Sequence, residues 1–138
     1  MPAEPETQTI VPRIEGDLAQ ALLAAANGDL AEVELDVADS AAVTVVLAAP
    51  GYPETRDAGS PIEGIEEAEA EGALVFHAGT AVRDGQLVTS GGRILNVTGS
   101  GDTLDDARAK AYEACERISF QGARYRRDIA AKAVNVAG

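Results

Sequence analysis

The chain has 138 residues, a formal net charge of −12 at pH 7 and a single cysteine, which suits one domain spanning residues 1–138 with a core that needs no disulfide. The charge is uneven: residues 1–71 carry 16 acidic and 2 basic side chains, and residues 72–138 carry 7 acidic and 9 basic. So acidic a chain repels nucleic acid and anionic membrane surfaces, and neither is expected as a partner; an anionic ligand is expected against the second half.

No apolar run is long enough to cross a bilayer, and the opening MPAEPETQTI lacks the basic-then-apolar pattern of a signal peptide. The lone Cys115 fits a reducing compartment, so a cytoplasmic location is expected. Along PRIEGDLAQALLAAANGDL, the residues Ile14, Leu18, Ala21, Leu22 and Ala25 share one helical face, and Asn27-Gly28 supplies a stop. This predicts a surface helix that covers something with that face. AEVELDV then alternates, with Val33, Leu35 and Val37 on one side and acids on the other, as a half-buried strand does.

AAVTVVLAA is a continuous apolar run, expected as a central strand covered on both faces and ended by the breaker PGYP, with residues 50–62 an ordered loop. IEEAEAEG reads as a short acidic helix or helical turn ended by Gly72. ALVFHAGTAVRDGQLVTSGGRILNVT reads as strands joined by tight turns, with Asp84-Gly85 at a type I′ hairpin and Gly91-Gly92 in the next turn. From Thr103 a helix places Leu104, Ala107, Ala111, Ala114, Cys115 and Ile118 on one stripe. The basic close, FQGARYRRDIAAKAVNVAG, has no clear period after Ile129, and its last residues are expected to fray. Two main helices and hairpin-linked strands without a βαβ rhythm predict an α+β fold with an antiparallel sheet.

The glycine-rich turn GGRILNVTGSGDTLDDARAKAYEA invites a phosphate-loop reading, but Leu104 stands where a dinucleotide loop needs its third glycine, and no Gly-Lys-Ser/Thr follows. Asp102, Asp105 and Asp106 already crowd the helix start, where an anion would sit. Thr103-x-x-Asp106 reads instead as a capping box. One histidine and one cysteine far apart in sequence give no nucleophilic pair, so no catalytic residue is assigned. One histidine and scattered carboxylates give no metal ligand set.

His77, before Ala78-Gly79 at a strand end, stands either where a ligand approaches the backbone or bonded to that backbone itself. Arg93, after two glycines, has room to grip an oxyanion by its two-point fork, or to form a surface ion pair. Arg124, Arg126 and Arg127 cluster around Tyr125, and docking of this cluster against the acidic first half is the favoured reading.

Taken together, PETQ at the start, VFHAGT, GGRILNVTGSGDTLDDARAKAYEA and YRRDIAAKA near the end closely resemble, in order and spacing, the C-terminal domain of phosphoribosylamine–glycine ligase, also called glycinamide ribonucleotide synthetase. The resemblance covers nearly the whole chain. It implies an ATP-grasp ligase of de novo purine biosynthesis, in which ATP and Mg²⁺ (or Mn²⁺) activate glycine as an acyl phosphate that the amine of 5-phosphoribosylamine captures. It further implies a small antiparallel sheet of hybrid-motif type flanked by two main helices. The family's metal-binding Glu and Asn, and its ATP-grasp core, have no counterpart here, so the chain is expected to hold no cofactor and to be inactive alone. A biotinyl-carrier reading would need a lysine at a hairpin tip that carries Asp84-Gly85.

Residue by residue, the resemblance places Arg93 near the phosphoribosyl group and matches His77, Gly79 and Thr80 to the family's Phe-His-Ala-Gly-Thr segment. Tyr125, Arg126 and Arg127 match its closing Tyr-Arg-Arg-Asp motif, facing either substrate or the N-terminal and ATP-grasp portions, which are the expected partners. The alternative is a non-catalytic interaction or small phosphate-ligand-binding module.

Overall fold

Strand β8, Arg93–Gly101, organises the structure. In the computed structural model, which describes residues 5–31 and 33–137, β8 lies between β3, Ala41–Ala48, and β5, Leu74–His77, in an antiparallel three-stranded sheet. A second antiparallel sheet has β7, Gln86–Gly91, between β4, Asp57–Pro61, and β6, Thr80–Arg83. The α+β class is as expected. The centre of the first sheet differs, because β3, the predicted central strand, is an edge. Its burial comes from layers rather than neighbours: α1, Pro5–Ile10, packs on it, and so does α4, Leu104–Arg117.

Alternation on β8 sends Leu95, Val97 and Gly99 toward α4, where Val45, Leu47, Ala107, Ala111, Ala114 and Cys115 complete the core. Gly99 has to be glycine, since a Cβ there would meet the Ala111 amide nitrogen and the Ala107 carbonyl oxygen. The glycines of the phosphate-loop-like turn thus serve close helix–strand packing. On the other face a relay of hydroxyls ties down α1: Thr9 Oγ1 to Thr44 Oγ1 at 2.8 Å, Thr44 to Thr98 at 2.7 Å, and Thr98 Oγ1 to the Gln8 carbonyl at 3.1 Å. Since Thr98 spends its one proton on Gln8, Thr44 donates to Thr98 and Thr9 to Thr44.

Helix α4 starts where its cap predicts, the Thr103 hydroxyl accepting from the Asp106 N–H at 3.1 Å. The hairpin between β6 and β7 turns at Asp84 and Gly85, with φ of 51° and 77°, the two positive angles of a type I′ turn. The acidic helix α3, Ile65–Ala70, ends before Gly72 as expected. Residues 50–62 are not all loop: β4 pairs with β7 there, an assignment that Gly59 and Pro61 obscured in the sequence.

Two further expectations are corrected. Helix α2, Leu18–Asn27, begins after the Asp17 cap and ends at the left-handed Gly28, but of its predicted apolar face only Ala21 is buried. Of AEVELDV only β2, Asp36–Val37, is strand; it pairs with β1, Ile14–Glu15, in an exposed two-stranded ribbon, and Glu32 lies outside the described residues. Beyond Ile129, where the sequence shows no clear period, the chain forms α5, Ala131–Ala137; Gly138 lies outside the described residues.

Candidate functional site

The residues singled out by the sequence fall into three places. Arg93 and Gly79 line a cleft of about 390 Å³ together with Tyr52, Pro53, Arg56, Ala78, Ser90, Gly91 and Gly92. Here the two sheets meet. The Gly79 N–H donates to the Ile94 carbonyl at 3.0 Å, and the Ser90 N–H donates to the Gly79 carbonyl at 2.7 Å. Two of the three glycines of this floor leave no room for a side chain: a Cβ on Gly79 would strike the Arg93 carbonyl, and one on Gly92 would come within 2.9 Å of the Tyr52 ring. Glycine backbone and two arginines therefore line the same cleft, a residue set suited to an anion with several oxygens.

Arg56 was missed in the sequence, although it is the only basic residue between Arg13 and Arg83. That isolation within an acidic stretch was the available signal. The acidic first half thus supplies one of the two arginines that line the cleft, and the second half, where an anionic ligand is expected, supplies the other. Asp57 fastens this edge of the cleft. Its carboxylate accepts from the Ser60 hydroxyl at 2.6 Å and the Thr89 hydroxyl at 2.7 Å, while Thr89 Oγ1 also accepts from the Ser60 N–H at 3.0 Å. The Ser60 and Thr89 hydroxyls hold the Asp57 carboxyl below its usual value of 3.8.

His77 is elsewhere. It lines a separate cleft of about 640 Å³ beside Glu63, Glu66, Glu67 and Glu69, with Ile62 and Leu87. Its Nδ1 lies 2.9 Å from Thr80 Oγ1, so the histidine and Thr80 pair with each other and not with Arg93. The turn at Ala78-Gly79 explains the separation, since it carries the chain from β5 in one sheet to β6 in the other.

The closing motif forms the third place, and among the described residues none of its arginines forms an ion pair with an acid of the first half. Arg126 forks onto Asp128 at 2.9 and 2.7 Å, and the Arg127 guanidinium lies 5.2 Å from the Tyr125 ring centroid. The segment is clasped by α4: Arg108 donates to the Ile129 and Arg127 carbonyls at 2.8 Å each. The Tyr112 hydroxyl donates to the Arg126 carbonyl at 2.6 Å and accepts from the Ile129 N–H at 3.1 Å. Aromatic packing of Tyr112 on Tyr125, at 6.0 Å between centroids, favoured this helix over the distant acids. Upstream, Arg124 bonds its backbone to Ala48 in both directions, at 2.7 and 3.0 Å.

Burial pushes the Cys115 thiol up to about 12, which leaves it protonated at neutral pH and without nucleophilic character. Among the described residues no helix is long and apolar enough to cross a membrane.

Comparison with known proteins adds an independent line. The family described as "Phosphoribosylglycinamide synthetase, C domain" matches residues 42–132. Curated relatives named phosphoribosylamine–glycine ligase include those of Mesorhizobium japonicum, 48% identical over 95% of this chain and 31% of the relative, and Neisseria meningitidis serogroup A, 48% identical over 96% and 31%. A solved structure of the phosphoribosylamine–glycine ligase of Thermotoga maritima superposes with a TM-score of 0.79 at 43% identity, covering 91% of this chain and 30% of that one. The chain spans about a third of the length of the relatives it matches.

Proposed function

Because the chain belongs to the phosphoribosylglycinamide synthetase C-domain family, we propose that it works as the C-terminal domain of a phosphoribosylamine–glycine ligase, walling the phosphoribosylamine site and inactive alone. The ligase joins glycine to 5-phosphoribosylamine at the expense of ATP, yielding glycinamide ribonucleotide, ADP and phosphate. Among the described residues no group of three or more His, Cys, Asp and Glu is arranged to hold a metal ion. The proposal therefore assigns ATP, Mg²⁺ (or Mn²⁺) and the acyl-transfer chemistry to the N-terminal and ATP-grasp portions, its partners. This chain supplies shape and positive charge to the sugar-phosphate end of the substrate.

The observation that carries the proposal is that Arg93 and Arg56 line one cleft together with Gly79, Gly91 and Gly92. Arg93 is assigned to the substrate phosphate. His77 and Thr80, paired with each other in the neighbouring cleft, are assigned a supporting contact at the strand turn. Tyr125, Arg126 and Arg127 shape the face beside α4. Titration of the chain with glycinamide ribonucleotide, followed by NMR, should give saturable shifts at the amides of Arg56, Gly79 and Arg93. In the complete ligase Arg93→Ala should raise the phosphoribosylamine KM by about ten- to a hundredfold, the loss of one charged hydrogen-bonding group. Unmoved amides and an unchanged kcat/KM would remove the cleft from the substrate site.

A further inference from the structure

Residues 14–31 and 33–39 form an arm that the core leaves largely uncovered. Ala21 is the one buried residue of α2. Leu22 and Leu23 are 63% and 62% exposed, and Leu30 and Val37 are exposed as well. The sequence from 14 to 39 holds seven acidic side chains and no basic one. It lies before the family match, which starts at residue 42, yet the Mesorhizobium japonicum ligase aligns over 95% of the chain. Ligases therefore carry the arm although it is no part of their C domain proper. Exposed leucines on a well-capped helix, on a segment that travels with the ligase, mark a contact surface.

Resting on the reading of the chain as a ligase domain, we infer that this arm, with Leu22, Leu23 and Leu30 as its apolar anchors, is the surface that seats the domain on the rest of the ligase. The seat is apolar and rimmed by lysine and arginine, the chemistry complementary to leucines framed by Asp17, Asp29, Glu34 and Asp36. The basic tail is a poorer candidate for this contact, because α4 and Asp128 already engage it.

The test compares hydrogen exchange in the isolated 138-residue chain and in a complete ligase, made by joining this chain to the remainder of the Mesorhizobium japonicum relative. The amides of α2 should exchange about tenfold or more slower in the complete ligase. The double variant Leu22→Glu, Leu23→Glu should restore fast exchange there while leaving the circular dichroism of the isolated chain unchanged. Leu30→Glu, outside the helix, makes the same test without touching α2. An active ligase whose α2 exchanges equally fast in both settings would overturn the inference and spare the ligase reading. Protection that survives the leucine variants but disappears in Arg126→Glu, Arg127→Glu would move the contact to the tail and overturn it too. Protection that arises in the isolated chain with rising concentration would make a second copy the occupant, and the inference would fall in that case as well. An inactive ligase in which no segment of this chain is protected would overturn both.

Discussion

Asp57 shows how a single side chain can hold the rim of the cleft. Two hydroxyls stabilise its ionised form and lower its folded pKa. A group whose folded pKa is depressed contributes stability that is complete above its unfolded value and is lost as the pH falls through the folded one. Asp57 thus helps fully at neutral pH, and its contribution drains away as the pH drops below 3.8. Asp57→Asn should lower stability at pH 7 while flattening the acid limb of a denaturation profile; an unaltered limb would show that the hydroxyls bond no better to the carboxylate than to the amide. DAGSP contains the first hydroxyl, Ser60, but not the second, because Thr89 is 32 residues away. His77 teaches the converse. A motif placed it beside Gly79, and it is beside Gly79 in sequence, but a tight turn between two sheets sends the two residues to different clefts.

Elements defined by local chemistry were legible, whereas those defined by distant partners were not. A cap residue and a 3.6-residue stripe are written within one helix, so the start of α4 and the burial of its alanines followed from the residues alone. A pair of positive φ angles is likewise written in Asp84-Gly85. Which strand is central depends on what pairs with it from elsewhere, and an apolar run such as β3 reports only that both faces are covered, whereas the central β8 carries Asn96 and Thr98 among its buried residues. The periodic face of α2 was read correctly as apolar and wrongly as buried. At the contact between α4 and β8, Gly99→Ala would force a methyl against α4 backbone. It should cost about 1–3 kcal/mol in denaturant unfolding, as overpacking does. A smaller loss would mean that the helix shifts outward at little cost.

At the scale of the whole molecule, the charge asymmetry of the sequence suggested two halves drawn together by opposite charge. The structure distributes charge otherwise: Arg56 from the acidic half joins Arg93 at the cleft, and the basic tail is held by Tyr112 and Arg108 of α4 through its backbone. Tyr112 gives the sharper test of that clasp, since its hydroxyl serves as donor to Arg126 and acceptor from Ile129. Tyr112→Phe removes both bonds and keeps the ring. It should lower stability by about 1 kcal/mol and make trypsin cut faster after Arg124, Arg126 and Arg127. Unchanged cleavage would show that ring packing alone keeps the tail in place.

The distribution of tyrosines gives the molecule a further property. There is no tryptophan, and the three tyrosines dominate its near-ultraviolet emission. One of them, Tyr52, covers the glycine floor of the cleft, and the other two, Tyr112 and Tyr125, belong to the clasp. Unlabelled protein thus carries a native optical reporter at each of the two places where arginines gather, and the rest of the fold is nearly dark. A change of intensity on adding a phosphate ester reports on one tyrosine; a change on loosening the tail reports on two.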